Sequence, residues 1–280
     1  MPDPAKPTDP IRDNEALWAA WTRIHEHSEF YDLDGFRRGG VRLRGDEIAA
    51  LGDVAGKTLL HLQCHFGIDT LSWARLGARV TGADFSEPAI ELARRLAMEI
   101  GQPEARFVRS DLYDLPARLE GEFDIVYTSR GVLGWLPDIG RWARVVAHFV
   151  RPGGTFFINE IHPVAQAFEN EGVGRGELRL AYPYWEHREP LTFEVHGSYA
   201  DPTADAGDVV EHGWDHGLGE IVTALVEAGL RIESLVEHPS LDWALDFLVQ
   251  RPGEPGWWLP ADAGGELPLM FSLRATRPAG

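Results

Sequence analysis

Residues 59–86 read LLHLQCHFGIDTLSWARLGARVTGADFS, and the pattern changes twice along them. A short apolar run (59–62) predicts a buried strand. The next segment, DTLSWARLG (69–77), has helical spacing and a closing glycine, and ARVTGAD (78–84) returns to strand character. Strand, tight turn, helix and second strand form the unit of a parallel sheet, because parallel neighbours need a crossover connection.

The same rhythm continues outward. KTLLHLQ (57–63) is the first expected strand. EPAIELARRLAMEIG (87–101) is a helix with proline in its first turn and glycine past its end. ARFVRSD (105–111) and FDIVYTS (123–129) are the third and fourth strands, IGRWARVVAHFV (139–150) is a helix, RPGG (151–154) a turn, and TFFINEI (155–161) the fifth strand. The expected fold is α/β, a Rossmann-like doubly wound, mostly parallel sheet with helices on both faces.

The flanks divide the chain further. Residues 1–12 form a proline-rich lead-in expected to be disordered. Residues 13–56 form an N-terminal helical lid. There Leu17, Trp18, Trp21, Ile24 and His25 recur at helical spacing, Asp13 or Asn14 is the expected N-cap, and Gly39-Gly40 breaks the second half. Residues 57–160 are the core. Residues 161–216, rich in Gly, Pro, His and aromatics, are an insertion after the fifth strand that suits a substrate cap. Residues 217–280 complete the sheet with helix LGEIVTALVEAG (218–229), strand LRIESLVEH (230–238), an aromatic loop at Trp257-Trp258 and strand PLMFSLRATRP (268–278).

Composition narrows the function classes. The formal net charge is −18 and no basic run is present, so a nucleic-acid partner is not expected. No apolar stretch approaches the ~20 residues of a membrane span. The single cysteine, Cys64, permits no internal disulfide and fits a reducing, cytoplasmic setting. His61, Cys64 and His65 are metal-ligating types, but no second cluster supplies a fourth ligand, so no metal is expected.

The turn after the first strand selects the ligand. A dinucleotide fold needs glycines there so that backbone can approach the pyrophosphate. Gln63 and His65 occupy two such positions, which argues against NAD or FAD. S-adenosylmethionine has no phosphate and needs a niche for its carboxylate and ammonium, acceptors for the ribose and a slot for adenine. Gly67 keeps the turn open at a helix N-terminus. Asp84, ending the second strand beside Phe85, is placed to accept both ribose hydroxyls. Asp111 is placed for the adenine amino group, with Leu112 covering the ring.

Taken together, residues 57–160 resemble the core of class I S-adenosylmethionine-dependent methyltransferases, in a branch whose first loop reads Leu-Gln-Cys-His-Phe-Gly. The resemblance matches Gly67 to the last glycine of the first motif, Asp84 to the ribose-binding acid and Asp111 to the acid beside adenine. It places Ser129 where the fourth strand passes the methyl donor, and RPGG leads into the fifth strand. His61, Gln63 and His65 depart from the usual acid and glycines. Beyond the core the resemblance extends loosely through SYADP (198–202), WDHGLGEIV (214–222) and PLMFSLRAT (268–276). It implies a small-molecule methyl acceptor.

Around that core, Glu160, His162 and His216 are candidates for proton transfer at the sheet's carboxyl edge, although most of eleven histidines are structural. Trp21, Tyr31, Tyr184 and Trp185 are candidate acceptor walls, which favours an aromatic or heteroaromatic acceptor methylated at nitrogen, oxygen or an indole carbon. The resemblance adds an expectation of secondary metabolism. Two alternatives stay open: a non-catalytic S-adenosylmethionine-binding or regulatory protein, and a nicotinamide-dependent reductase.

Overall fold

A computed structural model describes residues 9–187, 189–263 and 265–279. The elements in chain order are α1 (Pro10–His25), α2 (Leu33–Arg37), α3 (Gly45–Leu51), β1 (Thr58–Leu62), α4 (Ile68–Arg75), β2 (Arg79–Asp84), α5 (Glu87–Glu99), β3 (Arg106–Arg109) and β4 (Phe123–Thr128). They continue with α6 (Ile139–Phe149), β5 (Val150–Ile161), α7 (Pro163–Gln166), β6 (Leu191–Glu194), β7 (Val210–Gly213) and α8 (Leu218–Glu227). The chain ends with β8 (Arg231–His238), β9 (Ser240–Leu241), β10 (Val249–Arg251), β11 (Glu254–Trp258) and β12 (Met270–Thr276).

Seven strands form one mostly parallel sheet in the order β3-β2-β1-β4-β5-β12-β8. β1 pairs in parallel with β2, and β2 with β3, while β12 runs antiparallel to both β5 and β8. The expected fold class is therefore found. No helix among the described residues is long and apolar enough to cross a membrane.

The chain divides into two compact units, residues 1–123 with 189–214, and residues 124–188 with 215–280. The segment 161–216, expected as one insertion, is shared between them. In the first unit, α5 buries Ala89, Ile90, Ala93, Leu96 and Ala97 against Phe66, Ile68, Leu71 and Phe107. The second unit has its own core, where Leu241, Phe247, Leu248, Leu259, Leu269 and Met270 meet Ala165 and Val173.

Three local expectations change. First, α1 begins at Pro10 with Asp9 as its N-cap, whose carboxylate accepts the Arg12 N–H at 3.4 Å. Proline suits the first turn, and Asp13 and Asn14 are committed elsewhere, so neither caps the helix. Residues 10–12 are thus helical, and residues 1–8 of the expected lead-in lie outside the described residues. Second, RPGG is part of β5, because Gly153 N–H donates to Arg277 O at 2.8 Å and Arg277 N–H to Gly154 O at 3.2 Å. Third, the Trp257-Trp258 segment is strand β11, pairing with Leu241 and Ser240 of β9. The two prolines and glycines around it concealed a short antiparallel ladder.

Candidate functional site

The first unit builds its site from the turns that follow β1, β2 and β3. Gln63, His65 and Gly67 all adopt positive φ, at 55°, 50° and 75°. The turn thus keeps a glycine-loop path although two of its residues carry side chains. Left-handed backbone costs a non-glycine residue roughly 1–2 kcal/mol, and such strain clusters at ligand sites. Gly67 is required for a second reason, since a Cβ there would meet Phe107 Cε1 at 2.5 Å.

Asp84 closes the β1 and β2 turns on each other. Its Oδ2 accepts the His65 backbone N–H at 2.8 Å, and its Oδ1 the Ser86 N–H at 2.9 Å. Burial raises its carboxyl to about 6, against the opposing effect of the Ser86, His65 and Phe85 backbone donors. Phe85 itself fixes the β3 end by accepting Arg109 Nε at 3.1 Å through its carbonyl. Asp111 caps the turn Leu112–Ala117, with its Oδ1 accepting Tyr113 N–H at 2.7 Å, and Leu112 is buried. Cys64 is buried, and burial together with the Asp84 charge pushes its thiol well above the usual range. That suits a packed filler rather than a nucleophile.

α1 and the segment that follows it bring aromatic rings over this turn. Trp18 lies edge-on to His65 with centroids 5.0 Å apart, and Tyr31 lies edge-on to Phe66 at 4.7 Å. Trp21 donates its indole N–H to Gly197 O at 2.8 Å, and the Tyr31 and Tyr199 hydroxyls are hydrogen-bonded. The helix is anchored from the other side by Asn14, which pairs with both backbone groups of His212 at 2.8 and 2.9 Å. His212 also contacts Asp13 at 3.1 Å and Thr192 at 2.9 Å. Trp21 and Tyr31 are thus gathered with Gln63, His65, Gly67, Asp84, Phe85, Asp111 and Leu112 in one unit.

The remaining candidates fall in the second unit. Ser129 directly follows β4 and is buried. Glu160 accepts four backbone N–H groups, from Gly131 at 2.5 Å, Ile161 at 2.6 Å, Val132 at 2.8 Å and Leu133 at 3.0 Å. These fill the four acceptor sites of a carboxylate. Glu160 therefore fixes the loop after β4 and has no acceptor site left for a proton. His162 accepts Val164 N–H at Nδ1 over 3.1 Å and places Nε2 3.0 Å from Glu237. His216 donates from Nε2 to Leu136 O at 2.7 Å, with Nδ1 3.4 Å from Glu220. Tyr184 accepts Leu218 N–H at 3.3 Å and lies edge-on to Trp185, which is 73% exposed.

Sequence reasoning missed His25, Ser198 and Tyr199 as members of the site. His25 was visible as one step of the α1 periodicity. Ser198 and Tyr199 opened the SYADP segment, whose partner 173 residues upstream nothing local could reveal.

Comparison with known proteins gives one consistent result. Residues 59–154 match a family model described as a methyltransferase domain. A ubiquinone biosynthesis O-methyltransferase of Aromatoleum aromaticum is 37% identical over 65% of this chain and 74% of its own length. The corresponding Albidiferax ferrireducens protein is 35% identical over 52% of this chain, which spans only 57% of that relative. Among solved structures, an S-adenosylmethionine-dependent methyltransferase from Mesorhizobium loti superposes with a TM-score of 0.56 at 23% identity, covering 86% of this chain and 100% of its own. One from Listeria monocytogenes also gives 0.56, at 20% identity, over 83% of this chain and 96% of its own. At these identities the two structures speak for the fold.

Proposed function

The chain belongs to the class I S-adenosylmethionine-dependent methyltransferases, and on that premise we propose that it methylates a small molecule at an aromatic hydroxyl. The family's cofactor is S-adenosylmethionine, which supplies a methyl carbon activated by positive sulfur. The observation that carries the reading is the Asp84 seat. Asp84 holds the ends of two turns through the His65 and Ser86 N–H groups, one on each oxygen, at the carboxyl edge of β2, which suits a carboxylate that faces the hydroxyls of a ribose. Asp111, at the turn after β3, is the acid for the adenine amino group, and side chains at Gln63 and His65, where a dinucleotide loop carries glycines, speak against a pyrophosphate. The side chains at Gln63 and His65 speak against the nicotinamide reductase alternative, and the methyltransferase relatives against the non-catalytic one.

The hydroxyl acceptor is favoured by the relatives, which are named as O-methyltransferases. They are named for ubiquinone biosynthesis, so our reading of secondary metabolism rests on the family resemblance alone. Residues 13–56 act as cover, 57–160 as cofactor core, 161–216 as acceptor wall and 217–280 as the completion of the sheet. Trp21 and Tyr31 of the first unit and, in the second, Tyr184 and Trp185 remain the candidate aromatic walls for an acceptor. His162 fixes Val164 N–H through Nδ1 and keeps Nε2 for the acceptor's proton, while His216 is bonded to Leu136 O and lies beside Glu220, so it serves as a positioning residue. Methyl transfer draws mainly on alignment in a dry site, worth roughly 7–11 kcal/mol, so no strong base is required. The net charge of −18 disfavours nucleic acid, and we place the protein in the cytoplasm.

The test is product formation from S-adenosylmethionine with a panel of phenols, catechols, aromatic amines and indoles, followed by mass. Methylation of phenols or catechols is expected. Turnover confined to amines or indoles would reject the hydroxyl, and cofactor binding without turnover on the whole panel would reject the aromatic acceptor.

A further inference from the structure

Three side chains in the first unit form a hydrogen-bonded line. Ser198 Oγ lies 2.6 Å from His25 Nε2, and His25 Nδ1 lies 2.9 Å from His65 Nε2. At the far end, His65 Nδ1 is buried and has no hydrogen-bond partner.

The proton positions along this line follow from counting donors. Ser198 is 5% exposed, and its oxygen already accepts Ala200 N–H at 3.1 Å. Among the described residues its hydroxyl hydrogen has one acceptor within reach, His25 Nε2. If His25 donated instead, a buried hydroxyl hydrogen would be left without a partner. Ser198 therefore donates to Nε2, and His25 carries its proton on Nδ1. That N–H donates to His65 Nε2, so His65 in turn carries its proton on Nδ1.

We propose that Ser198 and His25 are positioning residues that fix the tautomer of His65, so that its Nδ1–H is a donor kept for an anionic oxygen of the bound cofactor. The proposal rests on the S-adenosylmethionine reading above, whose methionine carboxylate supplies that oxygen. Burial lowers His25 to about 3 and holds His65 well below its usual value, so the line transmits polarity without adding charge beside the sulfonium. The donor also belongs to the strained turn, His65 having φ of 50°. A glycine there would remove that strain and the donor together.

The experiment uses the full chain and S-adenosylhomocysteine as probe. Nitrogen-15 spectra of histidine-labelled protein report which ring nitrogen of His25 and His65 carries the proton, and calorimetry reports affinity. Both residues are expected as Nδ1–H tautomers without ligand, and the His65 Nδ1 signal moves on binding. Ser198→Ala weakens binding about tenfold, the size of one lost charge-assisted hydrogen bond, and Ser198→Thr restores it. An Nε2–H tautomer at His65, or Ser198→Ala binding like the unmodified protein with unchanged spectra, overturns the proposal. Failure of the unmodified protein to bind the probe would instead sink the cofactor reading, while the ligand-free spectra still decide the tautomers.

Discussion

The His65 backbone N–H donates to Asp84 Oδ2 across 2.8 Å, so one carboxylate locks the turn after the first strand to the turn after the second. The ligand seat and the strained backbone therefore depend on the same oxygen pair, which gives the first expectation.

Asp84→Ala removes the acceptor for the ribose and the partner of two backbone N–H groups. Each charge-assisted hydrogen bond is worth roughly 1.5–3 kcal/mol, so affinity for S-adenosylhomocysteine falls at least tenfold in calorimetry. Melting temperature falls as well, since His65 and Ser86 lose their acceptor. Unchanged affinity in a folded variant would remove Asp84 from the cofactor site.

Asp84 also sets a pH dependence. Its carboxyl is raised from 3.8 to about 6, so the folded chain binds more protons than the unfolded one between those values. Its contribution to stability is greatest below about pH 4 and is lost as pH rises through 6. Ligand affinity moves the opposite way, because the ribose hydroxyls need the ionised form as acceptor. Binding is expected to strengthen from pH 5 to pH 7 with a midpoint near 6, and Asp84→Asn abolishes that step. His25, at about 3, adds no step in this window.

Glu160→Gln replaces two of four acceptor sites by an amide that donates. The loop at residues 131–133 then faces N–H groups without partners, at a cost of about 1–3 kcal/mol each. Chemical denaturation is expected to show a loss of several kcal/mol. A variant as stable as the original would mean that the loop is held elsewhere.

Gly67→Ala tests the cradle. The backbone has φ of 75°, and the new Cβ would lie 2.5 Å from a ring carbon of Phe107. Strain and overpacking together predict a loss of at least about 2 kcal/mol. Gly219→Ala in α8, where nothing lies within 4 Å of the new Cβ, serves as the control and is expected to be neutral or stabilising.

Asn14→Ala removes both buried bonds to His212. A loss of about 1–3 kcal/mol and faster proteolysis near α1 are expected. Cleavage no faster than in the unmodified chain would show that the rings around Tyr199 hold the helix by themselves.

The sheet was legible because the periodicity of residues 57–160 is dictated by local burial, and Asp84 because a strand end fixes where its next side chain goes. β6, β7 and β11 were not. Their strands are short, β7 and β11 carry Gly or Pro, and β6 pairs with a strand sixteen residues further on. The Glu160 reading shows a different limit. A carboxylate after a strand looks alike whether its acceptors face a substrate or a loop, and the four donors from residues 131–133 and 161 are invisible to spacing. His25 shows the same limit from the other side, since helical periodicity marks a buried position and does not tell a packing residue from a hydrogen-bonding one.

The pairing of Asn14 with His212 spans 198 residues. On a chain made from its N-terminus, α1 is complete long before the hairpin β6–β7 exists. Its buried face, with Leu17, Ala20 and Trp21, has to wait until the chain has been synthesised as far as Gly213. Non-local closure of this kind is slow and leaves apolar surface exposed in the interval. The cover of the cofactor turn is therefore a late event in folding, and a chain arrested before residue 213 would hold the strands of the seat without their roof.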